Sequence, residues 1–135
     1  MLRRQFTHHA LKLATVASLA PVATIAHAQA FPSKPITILV AFAAGGPADT
    51  MSRVVGQQVS AALGQPVLVD NRPGGNTIIG SEALVKSPPD GYTIFLTTIA
   101  HTIIPGLMAT PYDAVKDFAA VATIASNEIV LVATP

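Results

Sequence analysis

Three short stretches hold the residues best suited to bind something. The first is AFAAGGPADT, residues 41–50. Pro47 suits the first position of a helix, which places Asp49 in the first turn. A helix start leaves about four backbone N–H groups unpaired and carries a partial positive charge. Gly45 and Gly46 let another group approach the backbone closely. The stretch can therefore cradle an anion. It can equally be an ordinary helix start, capped by Gly46 and charge-balanced by Asp49. The second stretch is TTIAHTIIP, residues 97–105, where Thr97, Thr98 and Thr102 offer hydroxyls and His101 an imidazole. The third is NRPGGNT, residues 71–77, dense in turn formers. Asn76 can cap a following helix there, or the loop can touch a ligand. Arg72 follows Asp70 closely enough for a local ion pair.

Other chemistries find little support. There is no G-K-[ST] for a phosphate loop and no G-x-G-x-x-G for a dinucleotide. There is no cysteine and no G-x-S-x-G elbow. His101 is the only histidine after residue 30, with no partners at metal-ligand spacing. The seven acidic residues are scattered. The expectation is a protein that is not an enzyme, with no catalytic residues, no metal and no cofactor.

The elements that must position these stretches follow from periodicity. Ile36 to Phe42 is β-branched and almost continuously apolar, the pattern of a strand buried on both faces of a parallel sheet. Met51, Val54, Val55, Val59, Ala62 and Leu63 recur at helical spacing. Gly64 stands where a helix ends, with Pro66 beyond it. Residues 66–70 form a second strand, Thr77 to Lys86 a second helix, and Tyr92 to Thr97 a third strand. Residues 98–111 are less regular, with room for one helical turn, and PYDAVKDF reads as a loop or short helix. Residues 121–124 and 129–132 are further strand candidates. This alternation predicts an α/β fold with an open, mostly parallel sheet and flanking helices. Ligands in such sheets sit at the carboxyl ends of the strands. The stretches after strands one and three then share an edge.

Composition divides the chain. It has 135 residues, of which 50% are hydrophobic and 11% charged. Much of the apolar excess lies in residues 1–30, where Arg3 and Arg4 precede an apolar run and A-x-A triplets at 26–28 and 28–30. That order predicts an export signal peptide. Arg3-Arg4-Gln5-Phe6 also fits a twin-arginine signal, so either the twin-arginine or the general secretory route remains open. Lys12 and Pro21 interrupt the run, which falls short of the roughly 20 residues of a membrane span. No stable membrane insertion is expected once the signal is removed. Residues 31–135 carry five basic and seven acidic residues, a net charge of −2. No basic patch suggests nucleic acid.

The ordered motifs resemble one family. FPSKPITILVAFAAGGPADT, LGQPVLVDNRPGG, PPDGYTIFL and YDAVKDFAAV occur in this sequence in that order. They are similar to the motifs of the tripartite tricarboxylate transporter substrate-binding proteins, the Bug-type periplasmic solute receptors. The resemblance implies a two-lobed, type II-like periplasmic binding fold that closes on a small carboxylate and delivers it to transporter membrane subunits. It implies ligand contacts in three loops. These carry Ala44, Gly45, Gly46, Pro47, Ala48 and Asp49, then Gly75, Asn76 and Thr77, then Thr97, Thr98, Ala100 and His101. A sensory receptor feeding a membrane signalling protein is an alternative. Ala41, Ala43, Ala44, Ala114 and Ala120 stand where family members often have proline. On this pattern residues 31–135 are the N-terminal lobe, incomplete and without its second lobe. Micromolar binding requires about −8 kcal/mol. One helix terminus supplies roughly 0.3–1 kcal/mol. A non-functional truncated fragment is therefore a further alternative.

Overall fold

Ile36–Val40 (β1) forms the middle of a three-stranded sheet in the computed structural model, which describes residues 30–126 and 130–133. Val67–Asn71 (β2) pairs on one side and Thr93–Leu96 (β3) on the other, both parallel to β1. Between them run two helices, Pro47–Leu63 (α1) and Ile78–Val85 (α2), and a third, Ala100–Leu107 (α3), follows β3. The sheet and its helices are the parallel α/β arrangement that the sequence predicts.

The core is β1. Ile36, Ile38, Leu39, Val40 and the following Ala41 are all buried. Strand alternation sends neighbours to opposite faces. Ile38 meets α1, since a Cβ added at Gly56 would lie 3.6 Å from its Cδ1 and 3.1 Å from Val67 Cγ1. Ala41 meets α2, since a Cβ at Gly80 would lie 3.0 Å from its Cβ. The two helices therefore cover opposite faces, and four of the five β1 residues are buried and apolar, Thr37 being half-buried. Each helix comes close to the sheet at a residue without a side chain.

Helix limits have local causes. Pro47 opens α1 and Gly46 is its N-cap. Gly64 ends it in the left-handed region at φ 68, its N–H donating to Ser60 O at 3.0 Å. β1 stops at Val40, two residues before the sequence suggests. The Arg72 N–H donates to Val40 O at 2.7 Å, and the Asn71 side chain then takes over, donating Nδ2–H to Phe42 O at 3.0 Å. The ladder is thus replaced by a side-chain bond, and the chain turns away. At the amino edge, Lys34 pairs with Asp90 at 3.0 Å and the Ser33 N–H donates to Tyr92 Oη at 2.8 Å. These contacts fasten the incoming chain to the turn before β3.

Three expectations need correction. Residues 98–111 hold the eight-residue helix α3, with Pro105 inside it, rather than a single turn. Residues 121–124 are not a strand. Their β-branched composition favours one, but a strand requires a ladder partner, and none pairs with them among the described residues. Residues 130–132 likewise have no regular structure, and Ile129 lies outside the described residues. So does the expected export signal, apart from Ala30. Among the described residues no helix is long and apolar enough to cross a membrane.

Candidate functional site

The parallel register fixes where the three loops lie. Val40 sits opposite Leu96 in β3 and Asn71 in β2. The residues that follow all three strands therefore emerge at one edge, the carboxyl edge. Residues 41–46, 72–77 and 97–99 share it. This is where open parallel sheets receive ligands.

Asp49 organises the first loop. It is buried, and its Oδ2 accepts the Gly45 N–H at 2.8 Å and the Arg53 Nε–H at 3.0 Å. Arg53 Nη2 lies 2.9 Å from Oδ1 as a charge contact outside hydrogen-bond alignment. The Arg53 side chain, helped by the Gly45 N–H, holds the Asp49 carboxyl at a pKa of about 2, below the ordinary 3.8. One donor of the glycine turn is thus already used inside the protein. Thr50 makes the first helical bond, to Gly46 O at 2.9 Å. No side chain caps α1. Ala48 and Asp49 precede that bond, so their N–H groups face the edge as a helix start leaves them. Ala44, Gly45 and Pro47 are exposed, and Gly46 and Ala48 half-buried.

The second loop has an unusual backbone. Gly74 to Thr77 all have positive φ, at 122°, 56°, 52° and 77°. The last three form a tight turn running into α2. A β-branched residue such as Thr77 rarely adopts this region. Asn76, expected to cap α2, does not; the N-cap is Thr77, with no side-chain bond. Asn76 is itself left-handed and exposed, so its side chain cannot take the capping position. Thr77 is buried and its Oγ1 has no partner among the described residues. Arg72 pairs with Asp70, Nε–H to Oδ2 at 3.0 Å, as the sequence permits.

In the third stretch the residues part company. Thr98 is exposed and its Oγ1 accepts the Ala100 N–H at 3.3 Å, holding the first turn of α3. Thr97 Oγ1 is buried without a partner. His101 turns toward the 110–118 segment instead. Its ring stacks on Tyr112, with planes 2° apart, and meets Phe118 edge-on at 4.4 Å. Its Nε2 lies 3.0 Å from Ala114 O. The ring serves as a fastener for that segment in this structure.

Three residues outside the three stretches' expected contacts shape the edge or its support. Arg53 was legible as the i+4 partner of Asp49. Asn71 and the fully buried Ser81 gave no signal, because their importance depends on what the fold sets beside them. Two shallow grooves flank the sheet, one along α2 and one between α1 and β2, and none of the predicted site residues lines either. Among the described residues no group of three His, Cys, Asp or Glu could hold a metal ion.

A parallel sheet with flanking helices and three loops at its carboxyl edge is the α/β architecture in which ligands, where there are any, sit at that edge. The sequence profile described as "Tripartite tricarboxylate transporter family receptor" matches residues 51–135, and the protein belongs to this family. It is 36% identical to the protein BugT of Bordetella pertussis over 126 residues, 91% of this chain and 37% of that one. The chain thus spans a little over a third of that relative's length. Solved structures agree. The periplasmic binding protein BugD matches at 34% identity and a TM-score of 0.63, covering 65% of this chain and 30% of that one. MatC of Rhodopseudomonas palustris, solved with bound malate, matches at 30% identity and a TM-score of 0.61, covering 65% and 31%.

Proposed function

We propose that this protein is exported to the periplasm and captures a small carboxylate there for a tripartite tricarboxylate-type transporter. The carrying observation is the character of the carboxyl edge. The start of α1 presents uncapped N–H groups beside a left-handed glycine turn, while both nearby arginines are committed to Asp49 and Asp70. An anion received there is held by dipoles and hydroxyls rather than by a free guanidinium. The bound malate of MatC supports a carboxylate as the ligand class.

Within this reading the loops divide the work. Gly46, Ala48 and Asp49 offer backbone donors from the first loop, and Gly75 to Thr77 offer them from the second. Thr97, Thr98 and Ala100 line the far side. Ala44, Gly45 and Pro47 shape the approach. His101 borders the site without entering it. The chain spans a little over a third of BugT's length, so the contacts named here are those that this part of the protein can offer.

Calorimetry of the purified protein tests the reading. The panel holds di- and tricarboxylates, amino acids and aromatic acids, with malate included. Micromolar binding of one carboxylate is expected. Silence across the whole panel would overturn the proposal. Uptake measured with and without the transporter's membrane subunits then separates delivery from sensing: loss of uptake is the expected result.

A further inference from the structure

Two serines of this protein, the buried Ser52 in α1 and the half-buried Ser87, bond back to the carbonyl four residues earlier. Ser52 Oγ donates to Ala48 O at 2.8 Å. Ser87, just past the end of α2, donates to Ala83 O at 2.8 Å. Ser81 is the exception. It is 0% exposed, yet its Oγ has no hydrogen-bond partner among the described residues. The residue four before it is Thr77, which stands in the left-handed region at the N-cap of α2. Thr77 is 5% exposed and its Oγ1 also lacks a partner. Thr97 Oγ1 is in the same condition, and so is Tyr112 Oη in the segment stacked on His101.

Thr77, Ser81 and Thr97 all belong to the side of the sheet that α2 covers. A Cβ at Gly80 would lie 3.0 Å from Ala41 Cβ and 3.1 Å from Phe95 Cε2, so Phe95 faces α2. Thr97 lies two residues further on and continues on that face. Thr97 follows Leu96, the partner of Val40, so it stands at the carboxyl end of β3, the edge from which the 72–77 loop also emerges. Ser81 adjoins Gly80, and Thr77 is one helical turn earlier. The hydroxyls therefore lie on one face of the sheet, under the carboxyl edge.

Buried hydroxyls are seldom left unpaired, because losing water without a replacement bond is destabilising. A buried water typically makes about three hydrogen bonds to such groups. We propose that Thr77, Ser81 and Thr97 hold one internal water molecule beneath the carboxyl edge. It ties the left-handed turn to α2 and to the end of β3. The water donates two hydrogen bonds and accepts one, and each hydroxyl rotates to suit. This binding site is independent of any ligand above it.

The sign of one measurement decides the matter. If the Ser81 hydroxyl is simply orphaned, Ser81→Ala removes a liability and raises the Tm. If it holds the water, Ser81→Ala lowers the Tm, by about 4 °C or more. Thr97→Val should behave likewise, and the double variant should lose clearly less than the two losses added. A rise in Tm on Ser81→Ala, or fully additive losses, overturns the proposal. A high-resolution crystal structure of the unsubstituted protein gives an independent reading. It should show a water within about 2.7–3.2 Å of all three oxygens. Hydroxyls bonded directly to one another would sink the idea.

Discussion

The Asp49 carboxylate accepts the Gly45 N–H at 2.8 Å, closing the glycine turn upon the helix that follows it. The same oxygen takes the Arg53 Nε–H at 3.0 Å. An acidic residue in the first turn of a helix is favourable in itself. Here it also sets the shape of the loop before the helix. The aspartate next to the family's glycines is therefore a bracket for the backbone that presents the donors.

This bracket makes stability depend on pH in a stated direction. The folded pKa of Asp49 is about 2, below the ordinary 3.8. A depressed carboxyl contributes stability in full above its unfolded pKa. That contribution is lost as pH falls from about 4 toward 2. Asp49→Asn should lower the Tm at pH 7. The gap between variant and parent should narrow steadily below pH 4. Parallel melting curves at pH 7, 4, 3 and 2 check this; a gap unchanged at pH 2 would mean the charge is irrelevant.

Thr77 reverses the usual order of helix propensity. Its φ of 77° disfavours any residue with a Cβ, and glycine alone is at ease there. Thr77→Gly and Thr77→Ala both remove the hydroxyl, so their difference isolates the backbone. Glycine should be the more stable of the two by roughly 1–2 kcal/mol, the cost of a left-handed L-residue. Chemical denaturation of both variants measures the difference. Alanine equal to or better than glycine would show that the turn relaxes.

How much of this was written locally varies by element. The β-branched run of β1 and the spacing in α1 announce themselves, and Gly64 marks the helix end, because short-range sterics decide all three. The turn at 74–77 was legible as a turn, but not its handedness at Asn76 and Thr77. Nothing in the preference of threonine predicts a left-handed φ; the surrounding structure imposes it. Helix α3 was hidden by Pro105 and by its isoleucines, which favour strands when read alone. Residues 121–124 show the converse error, since strand propensity without a partner yields no strand. The carboxyl edge was legible as three loops, and its buried hydroxyls were not, because orphaned polar atoms exist only in three dimensions.

Two glycines of similar appearance should respond oppositely to alanine. A Cβ at Gly80 meets Ala41 Cβ at 3.0 Å, and Ala41 Cα and Phe95 Cε2 at 3.1 Å. Backbone and ring cannot both yield, so α2 must lift from the sheet. Gly80→Ala should cost roughly 1–3 kcal/mol, as overpacking does. A Cβ at Gly106 meets nothing within 4 Å, and the residue lies in α3. Gly106→Ala should be neutral or stabilising by up to about 1 kcal/mol. Urea titration of each variant gives the values, and a harmless Gly80→Ala would contradict the packing described.

His101 supplies the last contrast, between packing a loop and contacting a ligand. Its ring is held between Tyr112 and Phe118, and its Nε2 meets Ala114 O at 3.0 Å. These contacts join α3 to a segment with no regular secondary structure of its own. A loop held mainly by side chains depends on each of them, because it has few backbone bonds to fall back on. His101→Ala should cost about 1–3 kcal/mol. Its signature should be regional, with amide hydrogen exchange accelerating across residues 110–118 while β1 stays protected. His101→Phe keeps the ring packing and loses the bond to Ala114, so it should recover part of the loss. If His101 instead grips the ligand, the two variants would lose carboxylate affinity alike while leaving exchange across 110–118 unchanged. Exchange measured with and without ligand therefore tells the two roles apart.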